Sequence, residues 1–308
     1  MIVTYRDADI TGTVTVARCV LDQREDGRLP TLTVDFEDTA RTWDRWGSRV
    51  GDRISVLEDG APKTGDLYVA SCEPRQGTWR VRATPLVLPD PPRAQAWAGA
   101  STTTALAQIA GQLGLSLECH GLYDAPYEWV RQQGLTGMAM AQMLATLSGA
   151  SVDVYDGTMH AWGHDWAVGR GPSGTIALSA ESDARLFLRT RFGSCDIEQA
   201  ASAEPARAAL EWSYVADASL PAMRSSVPAQ VAFGDTAPLQ VAAKAALAQA
   251  NARRDWGCVS SDSPSPYTPG VAVRVESDAD PSFGGVALVT RVRNDLLNRR
   301  SKTWWRRV

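Results

Sequence analysis

The sequence predicts an α+β fold that is rich in β-strands, in which two β-barrel-like domains flank a small α/β domain. Apolar and polar residues alternate with a period of two near both ends of the chain, a pattern typical of half-buried strands. Between these regions the apolar period lengthens to that of amphipathic helices. The predicted domains are residues 1–92, 93–168 and 169–308.

The N-terminal domain is predicted from short alternating segments separated by turns. Leu32, Val34 and Phe36 alternate with polar residues, and a Glu-Asp-Gly turn at 58–60 separates two later strands. Short strands with turns at such spacing favour a barrel or a sandwich. The stretch 85–92 is rich in proline, and because proline lacks a donor for the strand ladder, this stretch marks the end of the domain.

The central domain is predicted to contain two helices. Leu106, Ile109 and Leu113 recur at helical spacing, and residues 140–147 repeat the pattern before a glycine. We interpret the methionines of the second stripe as core residues rather than as an adaptable binding face. An alanine-rich helix is predicted separately, at about residues 239–254 within the C-terminal domain.

A hairpin is predicted directly after the second helix. Asp156-Gly157 favours a two-residue type I′ turn, and this turn fixes the register of the flanking strands. The register sets Asp153 opposite His160. We expect these two side chains to form an exposed cross-strand pair.

The two β domains share one local pattern. Residues 51–69 contain a strand that begins with glycine, a turn and a second glycine-led strand, and residues 270–289 repeat this order. The similarity is weak by itself, because any β protein yields such matches. It predicts that the two domains are built on one plan, with the two hairpins in corresponding positions.

The composition argues against several classes of function. The formal net charge is −4, so the chain as a whole does not attract nucleic acid or anionic lipid, and the basic residues of 299–307 are interpreted as a solvated edge. The sequence has no apolar run long enough to span a membrane and no signal-peptide pattern, so we expect no membrane insertion. Its 5 widely spaced cysteines predict reduced thiols in a protein made in the cytosol.

The sequence shows no motif for catalysis, cofactor binding or metal binding. His160 and His164 are four residues apart, but the hairpin puts one on a strand and the other beyond it, so we expect them not to share a metal. Neither a nucleophile elbow nor a phosphate-binding glycine loop is present. We therefore predict no catalytic, cofactor-binding or metal-binding residues. A pair of carboxylates that meets only in space, as a glycosidase needs, stays open.

Tryptophan is unusually frequent, with 11 residues against 5 phenylalanines. Exposed tryptophans stack on sugars, so a carbohydrate-binding module is kept as an alternative. Trp79 and Trp212 lie on the apolar side of their predicted strands, which predicts that both are core residues.

The C-terminal segment Trp304-Trp305-Arg306-Arg307 is the candidate site. Neighbouring residues of a strand point to opposite faces, so the two tryptophans cannot both enter one core. Tryptophan and arginine are enriched at protein interfaces. We predict that this segment contributes to an assembly interface.

The order of these parts resembles the baseplate hub proteins of bacteriophage tails, the late-control D type family, which also occurs in contractile injection systems. The resemblance is carried by segments 51–56, 65–71, 79–86, 97–115, 131–150 and 239–254. It covers nearly the whole chain and depends on the order of short segments rather than on one invariant residue.

This resemblance implies a structural, late-expressed protein of the virion tail that is made in the cytoplasm of the bacterial host. It implies a homotrimeric ring that joins the tail tube to the spike or tip, with the tube or distal tail proteins and the spike protein as partners and no small-molecule substrate. The tube is sixfold, so a threefold hub must present six similar surfaces, and two equivalent β domains per chain are one solution. The family has no catalytic residues or cofactor to carry over.

Two other functions remain as alternatives to a structural hub. One is a tail-associated cell-wall hydrolase, for which the spatial carboxylate pair would be needed. The other is a carbohydrate-binding tail module, for which some of the tryptophans would have to be exposed.

Overall fold

The fold was analysed in a computed structural model, which describes residues 1–43, 47–278 and 280–308. The chain is rich in strands and contains helices in its middle and in its C-terminal part, so the predicted α+β class is confirmed. The described strands form one large sheet and three smaller sheets of three strands each. None of the described helices is long and apolar enough to cross a membrane.

The elements of the first predicted domain are the strands β1 Ile2–Tyr5, β2 Ala8–Asp9, β3 Val16–Arg24, β4 Thr31–Glu37, β5 Arg53–Leu57, β6 Leu67–Arg75 and β7 Thr78–Thr84. The second contains β8 Arg93–Ala98, α1 Thr102–Gln112, β9 Ser116–His120, β10 Trp129–Leu135, α2 Gly137–Leu147, β11 Ala150–Tyr155, β12 Thr158–Gly163 and α3 His164–Gly169. The third contains β13 Thr175–Leu178, β14 Ala184–Leu188, β15 Ser194–Gln199, β16 Leu210–Val215, β17 Ala222–Ser226, β18 Val231–Ala232, α4 Ala237–Ala252, β19 Asp255–Ser261, β20 Ala272–Ser277, a 3₁₀ turn Pro281–Phe283, β21 Gly285–Asp295 and β22 Arg300–Arg307.

The largest sheet joins the two ends of the chain. Its strands follow the order β14-β19-β22-β21-β3-β4-β7-β6-β5-β1-β2, and β20 and β13 continue it from β21. These 13 strands come from both predicted β domains, and the pairing of β21 with β3 connects the two halves. The two barrel-like domains predicted from the sequence are therefore parts of one continuous sheet.

Each half of the large sheet has its own apolar core. Leu32, Val34 and Phe36 are buried in the N-terminal core, which confirms the predicted alternation of β4. Val273 is buried in the C-terminal core. Leu296, which follows β21 at the other end of the chain, packs in the N-terminal core. The two halves are therefore connected by packing as well as by strand pairing.

The central core extends beyond the predicted boundary at residue 168. Leu106 of α1 and Leu144 of α2 are fully buried, as their helical stripes predict. The same core also contains Ile197, Phe233 and Leu239, which come from β15, from the segment after β18 and from α4. Packing is therefore continuous across the predicted boundary, and α4 begins slightly earlier than predicted.

The hairpin of β11 and β12 forms as predicted. Asp153 pairs with His160, and the φ angles of Asp156 and Gly157 are 49° and 73°, as a type I′ turn requires. β9 pairs in parallel with the other edge of β12 and brings Glu118 opposite His160. This third strand gives His160 a neighbour that the hairpin pattern alone does not reveal.

The two glycine-led hairpins have the same hydrogen-bond pattern. The amide of Gly51 donates to the carbonyl of Val69 at 2.8 Å, and the amide of Gly270 donates to the carbonyl of Val289 at 2.8 Å. The φ angles of the two glycines are 90° and 83°, a region that other residues rarely adopt. A shift of register follows directly after each valine. The two hairpins thus occupy corresponding positions in their halves of the sheet.

The correspondence extends to the surrounding strands. The order β3-β4-β7-β6-β5 in one half of the sheet matches the order β14-β19-β22-β21-β20 in the other half. We call these two sets of five strands the N-terminal unit and the C-terminal unit. The prediction that both β regions follow one plan agrees with this strand order.

The antiparallel pairing of β3 with β21 holds the two units together. At one end of the pairing the amide of Glu25 donates to the carbonyl of Thr290 at 2.9 Å. At the other end the amide of Leu296 donates to the carbonyl of Cys19 at 2.8 Å. The backbone ladder therefore runs along the whole length of the contact between the units.

A bidentate ion pair lies across the same contact. The guanidinium of Arg291 on β21 donates from Nε to Oδ1 of Asp22 at 2.9 Å and from Nη2 to Oδ2 at 2.5 Å. Burial acts to raise the pKa of Asp22, but the hydrogen bonds and charges of Arg291 and Arg24 outweigh it, so the pKa lies below its ordinary value. The two parallel hydrogen bonds attract the strands to each other and also fix their relative position.

We expect Asp22→Asn to lower the free energy of unfolding by about 1–3 kcal/mol near neutral pH, because the ion pair across the contact loses its charge and one acceptor. The lowered pKa of Asp22 means that this contribution is present above about pH 4 and is lost as the pH falls further. Urea unfolding of both chains at pH 7 and pH 3 measures it. The exposed change Asp26→Asn is the control, and an equal loss in both variants would contradict the account.

Candidate functional site

A cleft of about 400 Å³ lies where the N-terminal, central and C-terminal parts of the chain meet. Residues at β3, α2, β11, α4 and β22 line it. Glu25 contributes from the N-terminal part, Ser151 and His164 from the central part, and Trp304 and Arg306 from the last strand. Half of the predicted interface segment therefore faces an internal cleft of the same chain.

Arg306 and Glu25 form a buried ion pair in this cleft. Nε of Arg306 donates to Oε1 of Glu25 at 3.1 Å, and the two side chains are only 7% and 16% exposed. Burial raises the pKa of Glu25, and the charge of Arg306 opposes this shift. Oε2 of Glu25 and Nη2 of Arg306 have no hydrogen-bond partner within the described residues. Each charge therefore depends mainly on the other for its stabilisation.

The structure places Trp305 in the interior. Its side chain is fully buried in the C-terminal core, and it lies against Gly257, where an added Cβ would stand 2.5 Å from the indole ring. β22 is paired on both sides, with β19 and with β21. Trp305 and Arg306 are thus unavailable as surface anchors, and deletion of this strand would disrupt the sheet itself.

Trp304 and Arg307 keep part of their surface exposed. The guanidinium of Arg291 lies 4.5 Å from the centre of the Trp304 ring, and the ammonium of Lys302 lies 5.5 Å from it. Arg307 donates to the backbone carbonyl of Ser282. The predicted assembly interface remains a prediction for these two residues of the segment.

His164 is hydrogen-bonded to Ser151. The distance between Nε2 and Oγ is 2.8 Å, and Ser151 is 3% exposed. Burial, together with the positive charge of Arg306, lowers the pKa of His164 to about 3. A neutral imidazole beside a hydroxyl is placed to accept its proton, although a pKa this low makes it a weak base at neutral pH. Within the described residues, however, no carboxylate is hydrogen-bonded to the ring, so the third member of a triad does not appear there.

The other two histidines flank Glu118. Its Oε2 lies 3.3 Å from Nδ1 of His160 and 3.8 Å from Nε2 of His120, whose ring also stacks on Trp166. His164 lies apart from these residues, at the start of α3. In the part of the chain that the structure describes, no group of three or more His, Cys, Asp or Glu side chains is placed to hold a metal ion.

Asp153 and His160 lie opposite each other, but they do not form the exposed pair that we expected. Both side chains are half-buried, and His160 contacts Glu118 instead. Burial raises the pKa of Asp153 to about 7, although its carboxylate accepts a hydrogen bond of 2.7 Å from the amide of Val154. Asp153 therefore carries a proton in the folded protein at a pH where an exposed carboxylate is ionised.

The two tryptophans that were predicted to be core residues differ. Trp79 packs against the N-terminal core, as predicted. Trp212 is 37% exposed, so the prediction is wrong for this residue. It lies opposite the buried Ile197, on the expected face, but β16 is the edge strand of its sheet. The edge position leaves part of the large ring uncovered.

The cysteines are all free thiols in this structure. Burial raises the pKa of Cys19 to about 12 and also raises that of Cys119 and Cys195. A thiol with a raised pKa is a poor nucleophile and a poor metal ligand at neutral pH.

Two open strand edges were missed by the sequence analysis. Within the described residues β14 pairs only with β19, and residues 71–75 of β6 pair only with β7. Leu188 at the end of β14 is 56% exposed. Open edges present free backbone donors and acceptors. No pattern in the sequence indicates these edges, since alternation does not distinguish an edge strand from a central one.

Comparison of the sequence with known proteins gives no family: no family model matches it, and no curated protein matches it. Comparison of the structure does give similar proteins. A tail protein from Neisseria meningitidis MC58 has a TM-score of 0.72 at 14% identity, covering 99% of this chain and 96% of its own. The 43 kDa tail protein of prophage MuSo2 from Shewanella oneidensis has a TM-score of 0.68 at 9% identity, covering 99% and 97%.

A third similar structure is the c3393 protein of E. coli, with a TM-score of 0.59 at 12% identity, covering 99% of this chain and 76% of its own. It is described as a component of the type VI secretion system with structural similarity to the T4 bacteriophage tail proteins gp27 and gp5. The chain therefore has the fold of phage tail proteins and of this secretion-system component, over almost its full length.

We expect Arg306→Met to lower the free energy of unfolding by about 3–5 kcal/mol, because it leaves the buried Glu25 without its partner. The double variant Glu25→Gln with Arg306→Met should lose clearly less than the sum of the two single losses, since the unpaired charge is gone. Guanidinium unfolding of the four chains measures the coupling. Arg300→Met on the same strand, at a side chain that is 71% exposed, should change little, and additive losses at Glu25 and Arg306 would contradict the account.

We expect Asp153→Asn to raise the free energy of unfolding at pH 8 by at least about 1 kcal/mol. The folded pKa of Asp153, about 7, lies above the ordinary value of 3.8, so the wild type loses stability as the pH rises between these values, whereas asparagine stays neutral. The gain should disappear near pH 4. Thermal unfolding between pH 4 and pH 8 measures it. A similar profile for the exposed control Asp59→Asn would refute this assignment.

Proposed function

We propose that the chain is a structural component of the tail of a phage or of a contractile injection system. The observation that carries the proposal is the extent of the shared fold: two phage tail proteins match 99% of the chain and are themselves covered to 96% and 97%. A structural role also fits the ionisable groups of the cleft. Glu25 and Arg306 are buried against each other and connect distant parts of the chain.

Within the tail, we propose the position of the hub, in which a homotrimeric ring joins the tail tube to the spike or tip. The described similarity of c3393 to the T4 tail proteins gp27 and gp5 supports this position. The internal symmetry supports it as well, because each chain carries an N-terminal and a C-terminal unit with the same strand order. Three chains then present six similar units, which matches a sixfold tube.

The partners that follow are other copies of the chain, the tube or distal tail proteins, and the spike or tip protein. The location that follows is the virion tail, after synthesis in the host cytoplasm. We propose no enzymatic activity, because the similar structures are tail proteins and the ionisable groups of the cleft already stabilise the fold.

Two observations keep the alternatives testable. The Ser151–His164 hydrogen bond in the cleft is the feature that a hydrolase would use. The partly exposed Trp212, beside a surface hollow lined by Glu211 and Arg224, is the feature that a carbohydrate-binding module would use. Purified chain should release no fragments from peptidoglycan, and glycans should not quench its tryptophan fluorescence. Release that Ser151→Ala abolishes, or quenching that Trp212→Ala abolishes, would favour the corresponding alternative.

Deletion of the chain from the genome that encodes it should block completion of the tail, because the tube has no ring from which to start. Electron microscopy of the lysates should show heads or sheaths without complete tails, and supplying the chain in trans should restore them. Ser151→Ala should restore them equally well. Complete tails in the deletion strain, or rescue that requires Ser151, would contradict a structural hub.

A further inference from the structure

We propose that copies of this chain join edge to edge, with β14 of one copy adding antiparallel to residues 71–75 of β6 in the next copy. The contact would repeat, between copies, the pairing of β3 with β21 within each copy. This proposal deepens the proposed function, on which it rests, by identifying the surfaces that build the ring. It follows from the register of the two units.

The two units match residue by residue across their strands. In each unit, one residue from each of four neighbouring strands lies in a row of direct strand pairs. The row ends at a glycine, whose amide donates to the carbonyl of the fourth residue. In the N-terminal unit the row is Leu21, Leu32, Ala83, Val69 and Gly51. In the C-terminal unit the row is Leu186, Gly257, Trp305, Val289 and Gly270. The same set of pairings therefore aligns β3 with β14 and β6 with β21.

The side chains in the two rows compensate for each other in size. Leu32 and Ala83 are neighbours in the N-terminal unit, whereas Gly257 and Trp305 are neighbours in the C-terminal unit. A small and a large residue have exchanged places, and the space beside Gly257 is filled by the indole ring. Such compensation is what two versions of one packing arrangement require.

The N-terminal unit lacks a contact that the C-terminal unit makes. The first part of β21 pairs with β20, and its second part, residues 291–295, pairs with β3. In the same way, the first part of β6 pairs with β5. Its second part, residues 71–75, has no partner on that side among the residues that the structure describes. In the C-terminal unit, the equivalent edge of β21 is covered by β3 of the N-terminal unit. The strand of the C-terminal unit that corresponds to β3 is β14, which also has an open edge.

The correspondence gives the register of the contact between copies. Within the chain, Val292 pairs with Gln23 and Asn294 pairs with Leu21. When these two pairs are transferred to the equivalent residues at the open edges, Cys72 of one copy lies opposite Leu188 of the next, and Pro74 lies opposite Leu186.

Backbone groups of these residues face the open edges. In β3 and β21 the amide of Leu296 bonds the carbonyl of Cys19, and strand geometry directs every second residue to the same edge. The equivalent residues are Cys72 and Pro74 on β6, and Leu186 and Leu188 on β14. Pro74 has no amide hydrogen, so this pairing has one hydrogen bond fewer than its counterpart within the chain. A weaker contact between copies than within a copy follows.

The side chains at the two edges are complementary on one of the two faces of the sheet. On one face, Leu186 and the 56% exposed Leu188 meet Cys72 and Pro74, which are also uncharged. On the other face, Glu73 lies opposite Phe187, which is 38% exposed.

Charge on this second face is mixed. Glu73 is paired with Arg75 of its own chain at 2.9 Å, and Arg185 and Arg189 of the next copy would stand diagonally on either side of it. In the same register Arg75 lies directly opposite Arg185, and this like-charge pair weakens the contact. The two open edges therefore match each other in backbone direction and on the apolar face.

The contact is heterologous, because it joins different surfaces of two identical chains. Contacts of this type generate a closed ring when the rotation closes and an open filament when it does not. Each added copy extends the alternation of N-terminal and C-terminal units.

Cysteine cross-linking in the full-length chain tests the register. Leu188→Cys is introduced together with Cys119→Ser, which removes the other half-buried thiol, so that native Cys72 is the intended partner. Hydrogen-bonded strand residues lie about 5.5 Å apart at Cα, which permits a disulfide. The chain is oxidised mildly at about 1 mM, a concentration at which even a weak contact is occupied. Its mass is then measured with and without reductant.

We expect covalent multimers that disappear on reduction and that fall at least about tenfold when Cys72→Ser is added, because the second thiol of the disulfide is then absent. Phe187→Cys in place of Leu188→Cys is the register control, because its side chain points to the opposite face, and it should link poorly. If covalent multimers form without a disulfide between position 188 and Cys72, this pairing is wrong. A chain that stays monomeric and unlinked at about 1 mM would overturn it as well.

A charge exchange provides a second test that needs no disulfide. Glu73→Arg should weaken association, and Arg185→Glu with Arg189→Glu in the same chain should restore it. Equal association in all three chains would count against the contact. These results are separable from the proposed function, because tail completion in the deletion strain is scored independently. A variant that restores tails but never links would leave the hub in place and remove this edge.

Discussion

The pairing of β3 with β21 is the contact on which the rest of the architecture depends. It brings together residues 269 positions apart in the chain, of which Asp22 and Arg291 form a bidentate ion pair. Closing so long a loop costs conformational entropy, and the loss is offset by a continuous ladder, the ion pair and the burial of Leu296 in the other half. Without this pairing the large sheet would separate into two units of unequal size. With it, the N-terminal and C-terminal units share one continuous sheet.

The central part of the chain lies in sequence between the two units that this contact joins. Its core also takes in Ile197 and Phe233 from after the predicted boundary. The cleft at the meeting point is lined by the Glu25–Arg306 pair, which connects the end of β3 to the last strand. Within the described residues, β14 and residues 71–75 of β6 keep an open edge, and these are the edges at which we propose that another copy adds.

Local features of the fold could be predicted from the sequence because they depend on neighbouring residues. The alternation of Leu32 to Phe36 and the Asp156-Gly157 turn are examples. The large sheet could not be predicted, since alternation shows that a strand has an apolar face but not which strand lies beside it. Trp305 illustrates the limit: its burial depends on Gly257, 48 positions earlier in the sequence, which leaves room for the ring. For the same reason, the candidate interface segment 304–307 was expected at the surface but lies on β22, a strand that is paired on both sides.

The central claim is that each copy contributes two similar β units to a ring around a tail axis. Electron cryomicroscopy of the assembled particle tests it most directly. The account predicts six similar units around the axis, with N-terminal and C-terminal units alternating and a continuous sheet crossing from one copy to the next. A map in which only one unit of each copy faces the axis, or in which the chain lies away from the axis, would contradict it.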